Sequence, residues 1–232
     1  MLHYATHFSD SHTAWENWFQ TGFDYKRECL LSLMTNMTSA RSDLANVLSY
    51  HLHQASNLLA KTHELVGPTG ETNELYTAGR GVALLVQQEG GAKAQLATVA
   101  LLSAALIAGN SVILCSDDKE WVSLLCSAYE QSLLPANLLL TLPLDAHHTL
   151  LDSDVRCVGL VGGSAIEHSL NRQLSERKGA IVSLVSETDL GTLPVAHDPH
   201  LSLRFITERT RTINITAVGG NATLLELGHE AH

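Results

Sequence analysis

Positive charge is scarce in this sequence. Lys and Arg number 14 against 24 Asp and Glu in 232 residues, giving a net charge of −10, and the basic residues are not clustered. Such a chain has no general attraction for phosphate backbones or anionic lipid, so neither nucleic acid nor membrane is expected among its partners. Cysteine motifs are missing too. Cys29, Cys115, Cys126 and Cys157 contain no CxxC pair and outline no secretory disulfide framework. The stretch from Met1 to Asp10 is polar and lacks the apolar centre of a signal peptide. The greasiest segment, Ala94 to Gly109, is interrupted by Gln95, Thr98 and Ser103. It falls short of the ~18–20 apolar residues that a membrane span requires. A cytoplasmic protein with reduced thiols is expected, in which the Asn-x-Thr matches at Asn36, Asn214 and Asn221 have no role.

Catalytic signatures are absent as well. There is no GxGxxG, no Walker motif and no GxSxG. The 13 histidines form no HExxH or Cys/His zinc spacing, so no metal is expected. His51 and His53 lie two apart on a helical pattern and face different ways, while His147, His148, His197 and His200 fall in loop-like text.

What the sequence does have is apolar mass. Hydrophobic residues make up 45% of the chain and charged residues only 16%, enough to bury a core and too little charge for a disordered segment. Three zones follow. Residues 1–24 carry Trp15, Trp18, Phe19 and Phe23 and read as an arm or short helix pinned by aromatics. Residues 25–64 read as helix, either one or two breaking near Thr35–Ser39, because apolar residues recur in steps of three and four. Gly67-Pro68-Thr69-Gly70 stops that zone. From Gly81 the pattern alternates: strands at Val82–Val86, Ser111–Cys115, Leu138–Leu142, Val155–Val161 and Ala180–Val185; helices at Ala92–Ala108, Asp118–Leu133 and Ser164–Arg177. Short, continuous apolar strands separated by helices indicate a parallel sheet covered on both faces.

The expected fold is therefore α/β: a Rossmann-like, doubly wound parallel sheet with an N-terminal helical segment and a C-terminal antiparallel β-flap. The predicted division is 1–64 for the arm and helices, 65–190 for the nucleotide-binding-type domain and 191–232 for the flap and tail. In the tail, Leu203–Glu208 and Arg211–Thr216 read as strands, and Thr223–Leu227 as a returning strand after the turn Gly219-Gly220-Asn221. Apolar side chains such as Phe205, Ile206, Ile213 and Leu225 predict a homodimer contact through Leu203–Leu227, since a lone hairpin is marginal in water.

A doubly wound sheet places ligands at the carboxyl ends of its strands. One junction reads Gln87-Gln88-Glu89-Gly90-Gly91, with an acid where a pyrophosphate would want positive potential. Another, Gly162-Gly163-Ser164, precedes a helix whose backbone N–H groups are suited to an anion, or serves only as a tight turn. At the third, Asp117 or Asp118 is placed either to bond a ribose or to cap a helix, and Cys115 sits among acidic neighbours that do not favour a thiolate.

Several stretches resemble the aldehyde dehydrogenase superfamily, most nearly the C-terminal part of the bacterial proline utilisation A proteins, which are related to 1-pyrroline-5-carboxylate dehydrogenase. They are Gly67–Asn73 with Gly79-Arg80-Gly81-Val82, the segment Leu102–Leu114, the turn Val158–Ser164, and the tail Ile206–Ala222. The resemblance implies NAD-dependent oxidation of glutamate semialdehyde, yet the residues depart from it. The oxyanion-hole Asn of the family has no counterpart in Gln87–Gly91, its ribose-binding Lys is matched by Cys115, and its general-base Glu segment is matched by Val182–Ser186, with Glu187 just beyond. About 20 residues separate Ser186 from the terminal signature, which leaves no space there for the family's catalytic domain. The resulting expectation is a shortened, non-catalytic assembly or accessory subunit linked to proline catabolism, with a proline utilisation enzyme as partner. Its catalytic residues and metal would be none, Gly162, Gly163 and Ser164 would be a vestigial site, and NAD would bind weakly or not at all. The rival readings are an NAD-dependent 1-pyrroline-5-carboxylate dehydrogenase and a nucleotide-responsive regulator.

Overall fold

A computed structural model of the chain describes residues 2–67 and 71–214. Five strands form a wholly parallel sheet: β3 (Val82–Gln87), β4 (Ser111–Ser116), β5 (Leu139–Leu142), β6 (Cys157–Val161) and β7 (Ser183–Glu187), in the order β5-β4-β3-β6-β7. The chain moves outward from β3 to β5, then crosses back to β6 on the other side of β3. This reversal is the topological switch of a doubly wound fold. The connecting helices are α4 (Ala92–Ile107), α5 (Lys119–Glu130), the short α6 (Ala146–Leu150) and α7 (Ser164–Glu176).

The unbroken apolar runs have a direct cause. On β3, Ala83 and Leu85 point into one core while Val82, Leu84 and Val86 point into the other, so every position is buried. Helix α4 is buried almost all round, because α2 (Phe23–Thr38) and α3 (Ser42–Leu59) cover the side turned away from the sheet. Helix α1 (Leu2–Phe19) is more than an arm. Tyr4 and Phe8 pack on the α6–α7 side, Trp18 is buried on the α4 side, and between them Ser11 donates to Ser111 Oγ (3.0 Å) at the first residue of β4. The helix thus lies across the N-terminal edge of the sheet.

Two features lock the α4–β4 turn to its neighbours. A Cβ on Gly79 would fall 2.2 Å from the Gly109 carbonyl oxygen, and Gly109 itself holds φ +96°, so the two backbones approach where only glycine fits. The next residue, Asn110, is fully buried. Its side chain accepts from the N–H groups of Arg80 (2.7 Å) and Gly81 (3.1 Å) and donates to the carbonyls of Ala105 and Phe205 (both 2.9 Å).

The expected helical break near Thr35–Ser39 falls between α2 and α3, at residues 39–41. Other expectations need correction. The helical zone ends at Leu59, and His63–Leu65 forms β1, which pairs with β2 (Glu71–Gly79). Helix α5 ends at Glu130, and β7 starts at Ser183, where pairing with β6 sets its register. The tail is not a free hairpin. Leu201–Phe205 is a 3₁₀ turn, and Ile206–Asn214 is one continuous strand, β8, antiparallel to β2 over nine positions. Among the described residues the flap is a three-stranded sheet, β1-β2-β8, in which a segment with no strand signal in the sequence supplies the central strand. Phe205 and Ile206 are buried in the chain's own core, whereas Leu203 and Ile213 are exposed. The returning strand Thr223–Leu227 lies outside the described residues.

Candidate functional site

The switch point brings two of the sequence-predicted junctions together. The N–H groups of Gln88 and Glu89 both donate to Val161 O (2.9 and 3.4 Å), so the loop after β3 rests on the end of β6. Gly162 donates to Glu187 O (3.2 Å) and ties this corner to β7. Gly163 caps α7 in an extended conformation with open space around its Cβ position, so neither backbone strain nor crowding requires glycine there. At Gly162 a Cβ would meet the Gln88 side chain, at 2.9 Å from Oε1, and Leu160 Cδ1 at 3.4 Å. The first turn of α7 carries its own acid, Glu167, which accepts a hydrogen bond from Ser186 Oγ. That carboxylate already answers the positive end of the helix.

Beside this corner is an open hollow of about 510 Å³ above β3 and β4, lined by Gln87–Gly91, Gln95, Ser116, Asp117, Asp118, Glu120 and Leu144. Four carboxylates face it (Glu89, Asp117, Asp118 and Glu120) and no Lys or Arg does. Negative potential here opposes a pyrophosphate. The two aspartates already hold the fold. Asp118 caps α5 by accepting from Trp121 N (3.3 Å) and receives Gln95 Nε2 (2.7 Å), while Asp117 accepts from Leu144 N (3.0 Å). Gln95 in turn accepts from Arg41 (2.7 Å), whose other donors hold Asp43. Gln87 is buried, and its Oε1 has no partner among the described residues.

The thiols are no better placed for chemistry. Cys115 and Cys157 are fully buried, and burial pushes both up to about 12, with Asp145 and Asp117 adding to the rise at Cys115. Cys29 is likewise raised, by burial first. Cys126 sits 3.3 Å from Thr141 Oγ1. A nucleophilic thiol needs the opposite environment.

Glu187, next to the segment that resembles a general-base site, is buried and fully engaged. Its carboxylate accepts from the N–H groups of Asp189 (3.2 Å), Val195 (2.8 Å) and Ala196 (3.0 Å). It organises the loop between β7 and the 3₁₀ turn. His51 continues that link: its Nε2 lies 3.0 Å from Ala196 O, and burial holds its pKa below the usual value, so the ring is a neutral donor. His53 is exposed, as the two-residue spacing predicts. Among the described residues no three His, Cys, Asp or Glu side chains gather as a metal site. No helix there is long and apolar enough to cross a membrane. The sequence reading missed the Glu187 and Asn110 networks. The Glu187 bonds fall in a loop with no regular pattern, Asn110 joins residues far apart in the chain, and the only local signal at Asn110 is the Gly-Asn pair before a strand.

The sequence matches no known family model, and no curated protein matches it at a significant level. In fold the chain is similar to proline utilisation A with proline bound in remote sites (TM-score 0.64, 23% identity, covering 80% of this chain and 22% of that one). It is similar to proline utilisation A from Bdellovibrio bacteriovorus inactivated by N-propargylglycine (TM-score 0.71, 14% identity, 80% and 22%). It is also similar to 1-pyrroline-5-carboxylate dehydrogenase from Thermus with bound NAD (TM-score 0.68, 12% identity, 81% and 42%). The chain thus spans less than half the length of any of these three. At such identities the likeness is one of fold, and the proteins concerned are those that the motifs resemble.

Proposed function

We propose that this chain is a non-catalytic, aldehyde-dehydrogenase-like assembly or accessory subunit linked to proline catabolism. The observation that carries this reading is the acidic hollow at the switch point, whose lining holds four acidic residues and no Lys or Arg where a dinucleotide would need positive charge. Supporting it, the described cysteines Cys115 and Cys157 are held as buried neutral thiols, and β7 runs to β8 through a short loop and a 3₁₀ turn. The link to proline catabolism rests on the fold and on the tail motif. The test is direct. Incubation with NAD and glutamate semialdehyde should give no NADH above a heat-killed control, and calorimetry should give no NAD binding in the low micromolar range. Turnover that disappears in Cys115→Ala, or a micromolar Kd, would make the chain an enzyme and overturn the proposal.

Assembly is the positive half of the reading. Among the described residues strand β8 is an edge of its sheet, with Ile213 (48% exposed) on it and Leu203 (38% exposed) in the 3₁₀ turn that leads into it. An open edge bordered by apolar side chains is a ready pairing surface. In a two-fold dimer it would meet its own copy. Light scattering at high micromolar concentration should give a dimer for the intact chain and a monomer for Leu203→Lys/Ile213→Lys. A monomeric intact chain would show that the contact does not exist. The same measurement with an added proline utilisation enzyme tests a mixed complex.

A further inference from the structure

The charge layout of the fold is reversed relative to the expected nucleotide site. The hollow at the carboxyl ends of β3 and β4 is lined by acids, and three arginines meet at the opposite edge. There α1, the turn between β2 and β3, the loop before β6, and β8 enclose a hollow of about 190 Å³. Arg80, Arg156, Arg209 and His12 line it, and Asp154 is the single carboxylate among the lining residues. In a chain of net charge −10, three guanidiniums around one small cavity are a local exception.

The arginines are held in place without being used up. Arg80 donates through Nε to Ile206 O (2.6 Å) and through Nη1 to Ser183 Oγ (3.3 Å). Arg156 follows Val155 into β6 with its N–H on Val82 O (3.0 Å), and its Nη2 meets Asp154 Oδ2 (2.8 Å). Arg209 stacks over the Phe19 ring, 4.7 Å from its centroid, a contact that orients a guanidinium and spends none of its N–H donors. Each guanidinium has five donors, so several remain for a ligand. Trp15 adds a second, independent sign. Its indole N–H is buried, has no hydrogen-bond partner among the described residues, and belongs to a residue lining this hollow. A buried donor without an acceptor is costly, and a small shift of the ring would open it to an oxyanion in the hollow. His12 stands edge-on to Trp15, with Glu16 3.9 Å from its Nδ1. A second hollow of about 340 Å³, lined by Arg80, Arg156, Ile181 and Thr207, adjoins through the two shared arginines and gives a longer molecule room to extend.

We infer that this arginine-lined hollow at the N-terminal edge of the parallel sheet binds a compact dianion, a phosphate or a short dicarboxylate. Arginine forks match such oxygens in pairs. The volume, about 190 Å³, suits a small molecule. This inference is independent of the non-catalytic reading, since it concerns the other end of the sheet.

Isothermal titration with inorganic phosphate and, separately, with succinate at constant ionic strength tests it and distinguishes the two ligand types. One of them should bind one-to-one, and Arg156→Gln/Arg209→Gln should weaken it about tenfold or more. Arg172→Gln/Lys178→Gln, which removes the same charge from exposed positions on and just after α7, should leave it unchanged. A readout on the unmodified protein guards against a variant that fails to fold: the indole N–H resonance of Trp15, assigned with Trp15→Phe, should move as the anion saturates. Failure of both anions to saturate by about 10 mM, equal loss in the two double variants, or a stationary Trp15 resonance would overturn the site.

Discussion

Replacing Asn110 by alanine should destabilise the protein by about 3–5 kcal/mol, among the largest effects of any polar substitution in the chain. The side chain is fully buried and makes four hydrogen bonds, two as acceptor and two as donor. A net contribution near 1 kcal/mol per bond is typical, and the loss is larger when buried partners are left unpaired. The partners here are backbone groups of three separate segments: the β2–β3 turn at Arg80 and Gly81, the end of α4 at Ala105, and the 3₁₀ turn at Phe205. Asn110→Asp separates the contributions. It keeps the two accepted bonds and turns both donated bonds into repulsion between carboxylate and carbonyl oxygens, so its loss should be comparable. Urea unfolding measures both variants. A loss below about 1 kcal/mol for Asn110→Ala would mean that the three segments are held together without this clamp.

The same residue shows why some of this fold was legible in sequence and some was not. The parallel sheet was readable because each strand is buried on both faces and therefore spelled by an unbroken apolar run, as in Val82–Val86 and Ser111–Cys115. Strand β2 was invisible. Residues 71–77 are half-buried, and Glu71-Thr72-Asn73-Glu74 carries polar side chains on both faces. What makes it a strand is β8, nearly 130 residues later, and no local pattern announces such a pairing. The 3₁₀ turn escaped for the same reason, since Leu201–Phe205 alternates apolar and polar residues like a strand but is fixed by Asn110 and the α4 end.

The site was partly legible. The Gly162–Ser164 turn does open a helix at the switch point, and Asp118 does cap α5. The acid at Glu89 was visible in sequence, but its company was not. Asp117, Asp118 and Glu120 join it only because β3 and β4 are neighbours in register, with Gln87 opposite Ser116. The arginine-lined hollow was wholly hidden. Arg80, Arg156 and Arg209 are more than fifty residues apart from one another, and in the chain they look like scattered surface charges. Parallel topology collects them, because residues preceding β3 and β6 must emerge at one edge of the sheet.

That edge is closed by α1, and the second large effect should come from Trp18. Trp18→Ala should cost about 3–5 kcal/mol, the usual range for emptying a buried aromatic site. The ring is fully buried against the α4 side of the core, and its Nε1–H donates to Leu106 O (3.0 Å) near the α4 C-terminus. It also shelters Lys26, whose Nζ lies 5.6 Å from the ring centroid and donates to Thr21 O. Burial lowers the Lys26 pKa to about 8. Two measurements follow from one substitution. Denaturant unfolding gives the loss of stability, and Trp18→Phe should recover most of it, missing mainly the indole bond at about 1 kcal/mol. Titration of the Lys26 amine by nuclear magnetic resonance should show its pKa rising toward the ordinary lysine value in Trp18→Ala, because water reaches the emptied site and the charged form is no longer penalised. The rise should be absent in Trp18→Phe, where the ring still excludes water. An alanine variant that loses under about 1 kcal/mol, or that leaves the Lys26 titration in place, would show that α1 is held to the sheet edge by Tyr4, Phe8 and Ser11 rather than by Trp18.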